Sequence, residues 1–151
     1  INDRRRSWAS FSRLSNQFRP LILLFNATQS WKFKKHGNFK EPKMIKANTV
    51  LEAWDNTLET MDFDHLADYL SDDFQFEDTT GEIGDLENTK SWCIAGELRI
   101  NNFKTIRENE HYIVATHDVV QEGKPKSNVL VYAEQTNGKF TYWKVQRAFE
   151  V

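Results

Sequence analysis

The sequence has few of the features that mark secreted or membrane proteins. It contains one cysteine among 151 residues, Cys93, so an intramolecular disulfide cannot form and nothing argues for an oxidising compartment. The apolar run at 21–25 spans five residues, whereas a helix that crosses a bilayer needs about 20, and no small-residue cleavage site follows the run. We therefore expect a cytoplasmic protein with no membrane partner.

Motifs that hold cofactors or metals are missing as well. The sequence has no Gly-rich phosphate loop, no nucleophile elbow, no His-Glu-x-x-His motif and no cysteine pair for a metal. His111, His117 and Asp118 are conceivable metal ligands, but Asp118 has the opposite strand parity and no third ligand is suitably spaced. We therefore expect neither a cofactor nor a metal.

Charge of opposite sign is concentrated in two different parts of the chain. Residues 1–43 carry ten Lys/Arg against two acids, a net charge of +8, whereas residues 44–151 carry ten Lys/Arg against twenty acids, a net charge of −10. Because binding to phosphates needs clustered cations, the acidic part argues against nucleic acid as a partner.

This charge division also suggests the domain organisation. We expect residues 1–43 to be a basic N-terminal extension, either disordered or not native to the mature protein, and residues 44–151 to form one domain. The Arg-rich, acid-poor composition of the extension is typical of a mitochondrial-type transit peptide. The alternative is that Met44 is the initiator and that the preceding residues are an upstream in-frame extension.

The pattern of apolar residues predicts helices first and strands afterwards. Apolar residues three or four apart from Ala47 to Met61 predict a long amphipathic helix. Asp62 and Asp64 are expected to cap a short second helix that reaches position 70, and Asp85 to cap a third that ends near position 96. Strands are expected at 74–78, 98–107, 112–120, 128–135 and 140–149, with a tight turn at 137–138. This order predicts an α+β fold with an antiparallel meander.

The strand that ends at Asp78 contains the strongest candidate for a functional residue. Phe74, Phe76 and Asp78 share a strand parity and are expected to face inward. A carboxylate beside two inward phenylalanines loses water, which raises its pKa unless donors or cations compensate. Asp78 is therefore a candidate base for proton transfer. The alternative is that it caps the turn at 79–81 by accepting bonds from backbone N–H groups.

The order of elements from Met44 onward resembles the NTF2-like superfamily, in particular its SnoaL-like and ketosteroid-isomerase-like members. Asp72-Asp73, Glu77-Asp78 and Gly81 are similar to the isomerases' Asp-Asp…Glu-Asp-Pro-Val-Gly segment. The resemblance implies a cone in which a long helix and two shorter helices pack in a curved antiparallel sheet around an apolar pocket. It also implies a homodimer, and it aligns Asp78 with the catalytic aspartate.

The resemblance departs from the isomerases at both oxyanion donors. Trp54 stands where they have a tyrosine, and the segment from Asn128 to Tyr132 has no acid where they have a protonated aspartate. This argues against steroid isomerisation itself. What it implies instead is an Asp78 base acting next to a carbonyl, with Trp54 or Tyr132 donating to the developing enolate oxygen.

Further residues complete the expected pocket. His117 is a candidate second polar group on the same face as His111 and Ala115, with a structural role as the alternative. Arg147 is expected to form an exposed ion pair, with a substrate carboxylate as the alternative. The candidate ligand-binding residues, some of which can equally be plain core residues, are Leu58, Phe74, Phe76, Trp92, Tyr132 and Trp143.

Two functions fit these observations. One is a cofactor-independent, polyketide-cyclase-like isomerase or cyclase, in which Asp78, Trp54 and His117 act on a small carbonyl compound. The other is a non-catalytic module that binds a small apolar ligand or dimerises. An open cavity faced by Asp78 and a donor favours the first, and an Asp78 bonded only to its own turn favours the second.

Overall fold

The computed structural model describes residues 43–150, so the predicted extension lies outside the described residues except for Lys43. The elements in chain order are α1 (Ala47–Thr60), α2 (Asp64–Ala67), β1 (Leu70–Glu77), β2 (Ile83–Asp85), α3 (Leu86–Ile94), β3 (Leu98–Glu108), β4 (Tyr112–Gln121), β5 (Ser127–Thr136) and β6 (Lys139–Phe149). The predicted α+β class is confirmed.

The strands form one curved, open sheet in the order β2-β1-β6-β5-β4-β3. The predicted meander from β3 to β6 is confirmed, since each neighbouring pair is antiparallel. The sheet differs from the expected antiparallel one at a single place, where β1 runs parallel to β6. Strand β2 was not predicted, because Gly84 was expected in a turn and instead pairs with Phe76.

Helix α1 packs on β3 and β4 and buries the predicted apolar stripe. The buried members of that stripe are Ala47, Val50, Leu51, Trp54 and Leu58. The prediction that Met61 continues the stripe is wrong. Met61 follows the helix in the left-handed conformation, with φ 57°, and its side chain is exposed. That conformation ends the helix.

The second helix is shorter than predicted. It ends at Ala67, because Leu70 already pairs with Phe140 as the first residue of β1. The predicted caps are wrong, because the N-cap is Phe63, which makes no side-chain capping bond, and Asp64 is the first helical residue. Asp62 Oδ1 nevertheless accepts a hydrogen bond from the backbone N–H of Asp64 at 3.0 Å. Along the described residues, no helix combines the length and the apolarity that crossing a bilayer requires.

Two turns form as the sequence predicts. Asn137 and Gly138 both have positive φ, 53° and 76°, which is the backbone of a two-residue hairpin turn between β5 and β6. Asp85 caps α3, because its Oδ1 accepts from the backbone N–H of Asn88 at 2.8 Å. These contacts fix the directions in which the flanking elements leave each turn.

Side chains from the sheet hold the start of α1. The buried Gln135 accepts from Ile45 N at 2.8 Å and donates to Ile45 O at 3.0 Å and to Asn109 O at 2.9 Å. Glu108 Oε2 accepts from the first helical N–H, that of Ala47, at 2.8 Å. A negative side chain at a helix N-terminus also interacts favourably with the helix dipole. These contacts replace the capping side chain that Lys46 does not provide.

The second half of α1 is tied to β3 by a carboxylate. Asp55 accepts from both Nε and Nη2 of Arg99, at 2.9 and 2.7 Å, and from Ile100 N at 3.1 Å. A paired fork of this kind has a defined direction as well as strength. The helix is thus attached to the sheet by polar contacts near its start and again further along, on the side of β3.

We expect Gln135→Met to lower the free energy of unfolding by about 2–4 kcal/mol, because it leaves the buried backbone groups of Ile45 and the partly buried carbonyl of Asn109 without their partner. Urea denaturation of the two proteins measures the difference. The matched control is Gln146→Met, at an exposed position of β6, which should change the stability by less than about 0.5 kcal/mol. An equal effect of both substitutions would contradict this account.

Candidate functional site

A cavity of about 480 Å³ lies between α1, α3 and the inner face of the sheet. Its aliphatic walls come mainly from Leu51, Leu58, Leu98, Ile100, Val129 and Val145. Its aromatic lining consists of Trp54, Phe76, Trp92, Trp143 and Phe149. A cavity of this size and composition falls in the range that binds small organic molecules.

The aromatic side is a packed group around Trp54. Its ring stacks on Trp92 at a centroid distance of 5.4 Å and an interplanar angle of 13°, and Trp143 lies at the same distance, tilted by 52°. Phe76 meets Trp92 edge to face at 5.4 Å. Trp54 Nε1 is buried and has no hydrogen-bond partner among residues 43–150. It is a donor that the described part of the chain leaves unused.

Asp78 lines the cavity where β1 ends, but its carboxylate is engaged by its own turn. Oδ1 accepts from Thr80 N at 2.7 Å, from Thr80 Oγ1 at 2.6 Å and from Glu82 N at 3.1 Å. The Thr80 hydroxyl, followed by these backbone groups, lowers the pKa of Asp78 despite a partial loss of water. Asp78 thus has both the position expected of a pocket acid and the contacts expected of a turn cap.

Three neighbouring strands place His117, Val129 and Arg147 side by side on the inner face. His117 pairs with Val129 across β4 and β5, and Val129 pairs with Arg147 across β5 and β6. All of them line the cavity. The turn that holds Asp78 reaches the same strand end, because Thr79 Oγ1 accepts from Arg147 N at 3.0 Å. The polar lining residues of the described chain therefore gather at one end of the cavity.

His117 is a neutral acceptor in this arrangement. Its side chain is 6% exposed, and burial lowers the pKa of the ring from 6.5. Nδ1 lies 3.2 Å from the carbonyl oxygen of Asp118. Because a carbonyl only accepts, Nδ1 carries the proton in the neutral ring, which leaves Nε2 as the acceptor.

Arg147 lacks the ion pair that the sequence led us to expect, so that prediction is wrong within residues 43–150. Nε donates to Ser127 Oγ at 2.7 Å, and Cζ lies 4.7 Å from the centre of the Phe149 ring. Nη2 is buried without a hydrogen-bond partner in the described chain, where the ion pairs involve other cations. Burial lowers the pKa of the guanidinium.

Comparison with known proteins identifies the fold. No protein-family model and no curated protein matches the chain. Among solved structures, an NTF2-like protein of unknown function from Cytophaga hutchinsonii superposes with a TM-score of 0.58 at 16% identity, covering 70% of this chain and 93% of that one. The chain has an NTF2-like fold.

Two further solved structures are similar to the chain. A protein from Sphaerobacter thermophilus has a TM-score of 0.59 at 8% identity, covering 69% of this chain and 97% of that one. A candidate ketosteroid isomerase from Kribbella flavida has a TM-score of 0.55 at 12% identity, covering 68% and 77%. At such identities the likeness establishes the NTF2-like fold alone, because one fold hosts many functions.

Seven of the nine predicted site residues line the cavity of the NTF2-like domain. They are Asp78, Trp54, His117, Leu58, Phe76, Trp92 and Trp143, and their roles stay predictions. Phe74 is not among the residues that line this cavity and is fully buried in the hydrophobic core. Tyr132 does not line the cavity either, because it is 37% exposed on the outer face, where its hydroxyl donates to Glu134 Oε1 at 2.9 Å.

The residues that were considered together with His117 lie in different places. Ala115 is buried on the inner face with His117, as expected. His111 is not on that face, because it precedes β4 and is exposed beside Glu110. Asp118 points away from the ring of His117 and instead bonds Lys126 at 2.8 Å.

Sequence reasoning missed Val129 and gave Arg147 the wrong environment. On β5 both faces carry apolar residues, so alternation could not tell the inner Val129 from the outer Leu130. The contacts of Arg147 depend on which strands lie beside β6, and no local sequence pattern predicts that order. The parallel pairing of β1 with β6 brings the turn after β1 to its side.

We expect His117 to titrate with a pKa below 6.5 in the folded protein, measured from the ring proton shifts by NMR. The unfolded chain then binds more protons than the folded chain as the pH falls, so His117 lowers stability from about pH 7 towards about pH 5. His117→Gln should reduce that loss in urea denaturation. A measured pKa above 6.5, or an unchanged acid loss in the variant, would contradict the neutral assignment.

Proposed function

We propose that this NTF2-like domain binds a small, mainly apolar organic molecule in the cavity between α1, α3 and the sheet. The observation that supports it most strongly is the aromatic group around Trp54, which lines open space instead of filling it. In a protein interior, such rings normally interdigitate without voids of this volume. Stacked and edge-on rings also offer flat surfaces to a planar or ring-shaped ligand.

The polar end of the cavity supports an orientation for that ligand. Asp78, His117 and Arg147 are gathered at one end, and the tryptophans and leucines line the rest. A molecule with one polar group would enter with its apolar part towards Trp54. Binding without chemistry is favoured over catalysis by the state of Asp78, because donors that stabilise a carboxylate make it a weaker base.

N-phenylnaphthylamine, a neutral apolar dye whose fluorescence rises in apolar sites, tests this proposal. We expect it to bind the protein saturably. Val129→Phe should weaken binding about tenfold or more, because the added ring occupies the cavity beside His117. The matched control is Leu130→Phe on the outer face of the same strand, which should leave binding unchanged. No binding by the wild type, or equal loss in both variants, would reject the proposal.

A second candidate function is cofactor-independent proton transfer, as in an isomerase or cyclase that acts on a small carbonyl compound. It is supported by one observation: Asp78 and the acceptor nitrogen of His117 belong to residues that line the same apolar cavity. The unused N–H of Trp54 is a donor for a developing enolate oxygen. Asp78 would remove the proton, and the tryptophan would stabilise the charge that develops.

Hydrogen–deuterium exchange of indanone next to its carbonyl tests this second candidate by NMR. An enzyme of this kind should accelerate exchange over buffer by about a hundredfold or more, and Asp78→Asn should abolish the acceleration. Asp73→Asn, which removes an exposed acid of the same strand, is the matched control and should have no effect. Exchange that is no faster than in buffer, with dye binding intact, would leave binding as the function.

A further inference from the structure

Arg147 differs from Asp78, the other charged residue that lines the cavity, because its guanidinium has a single and neutral hydrogen-bond partner in the described chain. Asp78 accepts several hydrogen bonds within its own turn. His117 is neutral at physiological pH, because burial lowers its pKa. Arg147 has one neutral partner, Ser127 Oγ, and no acid within 4.0 Å in the described chain.

Such an arrangement is costly unless something supplies the opposite charge. A guanidinium taken partly out of water needs hydrogen bonds or an anion to compensate the lost solvation. Two side chains hold the guanidinium: Ser127 Oγ accepts from Nε at 2.7 Å, and the Phe149 ring lies 4.7 Å from Cζ. The guanidinium is therefore held in place, but no acid of the described chain neutralises its charge.

We propose that the natural ligand of the cavity is an apolar organic acid whose carboxylate binds Arg147. The inference rests on the proposed binding function and adds the class of ligand. The apolar body of the acid would lie against the tryptophans, and its carboxylate would lie at the polar end beside His117 and the Asp78 turn.

The guanidinium has the right chemistry for this role. With Nε engaged by Ser127, the edge formed by Nη1 and Nη2 is the one that remains for a ligand, and a planar fork of two N–H groups matches the two oxygens of a carboxylate. Arg147 lines the cavity, and its Nη2 has no hydrogen-bond partner in the described chain. His117 does not compete with Arg147 for the carboxylate, because its ring is neutral and carries no positive charge.

The carboxylate of Asp78 does not take this place in the described structure. Its Oδ1 is held by the N–H of Thr80 and of Glu82 and by the Thr80 hydroxyl, so that moving it to Arg147 would break these bonds.

Naphthoate and its neutral amide, naphthamide, separate the charge from the shape of the ligand. Isothermal titration calorimetry should give the wild type a preference of about tenfold to a hundredfold for naphthoate, the range expected of a charge-assisted hydrogen bond. Arg147→Gln should abolish that preference. Arg147→Lys, which keeps the charge but not the fork, should retain only part of it.

Arg107→Gln is the matched control, because it removes an exposed arginine of β3 that does not line the cavity, and it should keep the full preference. Equal affinity of the wild type for naphthoate and naphthamide would overturn the inference while dye binding upheld the proposed function. A preference that persists in both Arg147 variants would overturn it too. Failure of the wild type to bind N-phenylnaphthylamine would reject the proposed function, and the inference with it.

Discussion

The attachment of α1 to the sheet is the constraint on which the cavity depends. Gln135 and Glu108 fasten the start of the helix, and Asp55 fastens its second half to Arg99. These contacts lie towards β3 and the end of β5, so they hold the helix along one side of the curved sheet. On the other side, near β6, large apolar side chains line the space without filling it. The open space is therefore built into the framework.

The chemistry of the cavity follows from which polar groups are already satisfied. The turn of Asp78 provides its own donors, so the strand end carries an anion that needs nothing from a ligand. Arg147, on the strand beside it, receives a neutral hydroxyl and an aromatic ring. A site with one compensated and one uncompensated charge discriminates between ligands by charge, whereas its apolar walls discriminate by size and shape.

Local patterns predicted the fold well and the site in part. Helical spacing and the Asn137 turn report short-range physics, and the structure agrees with them except at Met61, which is exposed beyond the end of α1. Strand alternation gave no clear answer on β5, where both faces carry apolar residues. Parity placed Asp78 on the cavity but could not decide between an inward base and a cap of its own turn, because the same sequence is compatible with both. The surroundings of Arg147 depend on the parallel pairing of β1 with β6, which joins parts of the chain far apart in sequence and has no local signal. The sequence could not show that Tyr132 lies on the outer face, because both faces of β5 carry apolar residues.

Helix α1 is attached to the sheet near its start and again at Asp55, an apolar cavity lies beside it, and the proposed ligand is an acid that binds the guanidinium of Arg147. A crystal structure of the wild-type protein grown with naphthoate tests it most directly. We expect the naphthalene rings to lie against Trp54 and Trp143, with both carboxylate oxygens within hydrogen-bonding distance of Arg147. A cavity filled by the protein's own side chains, or Arg147 paired with one of the protein's own carboxylates, would contradict it.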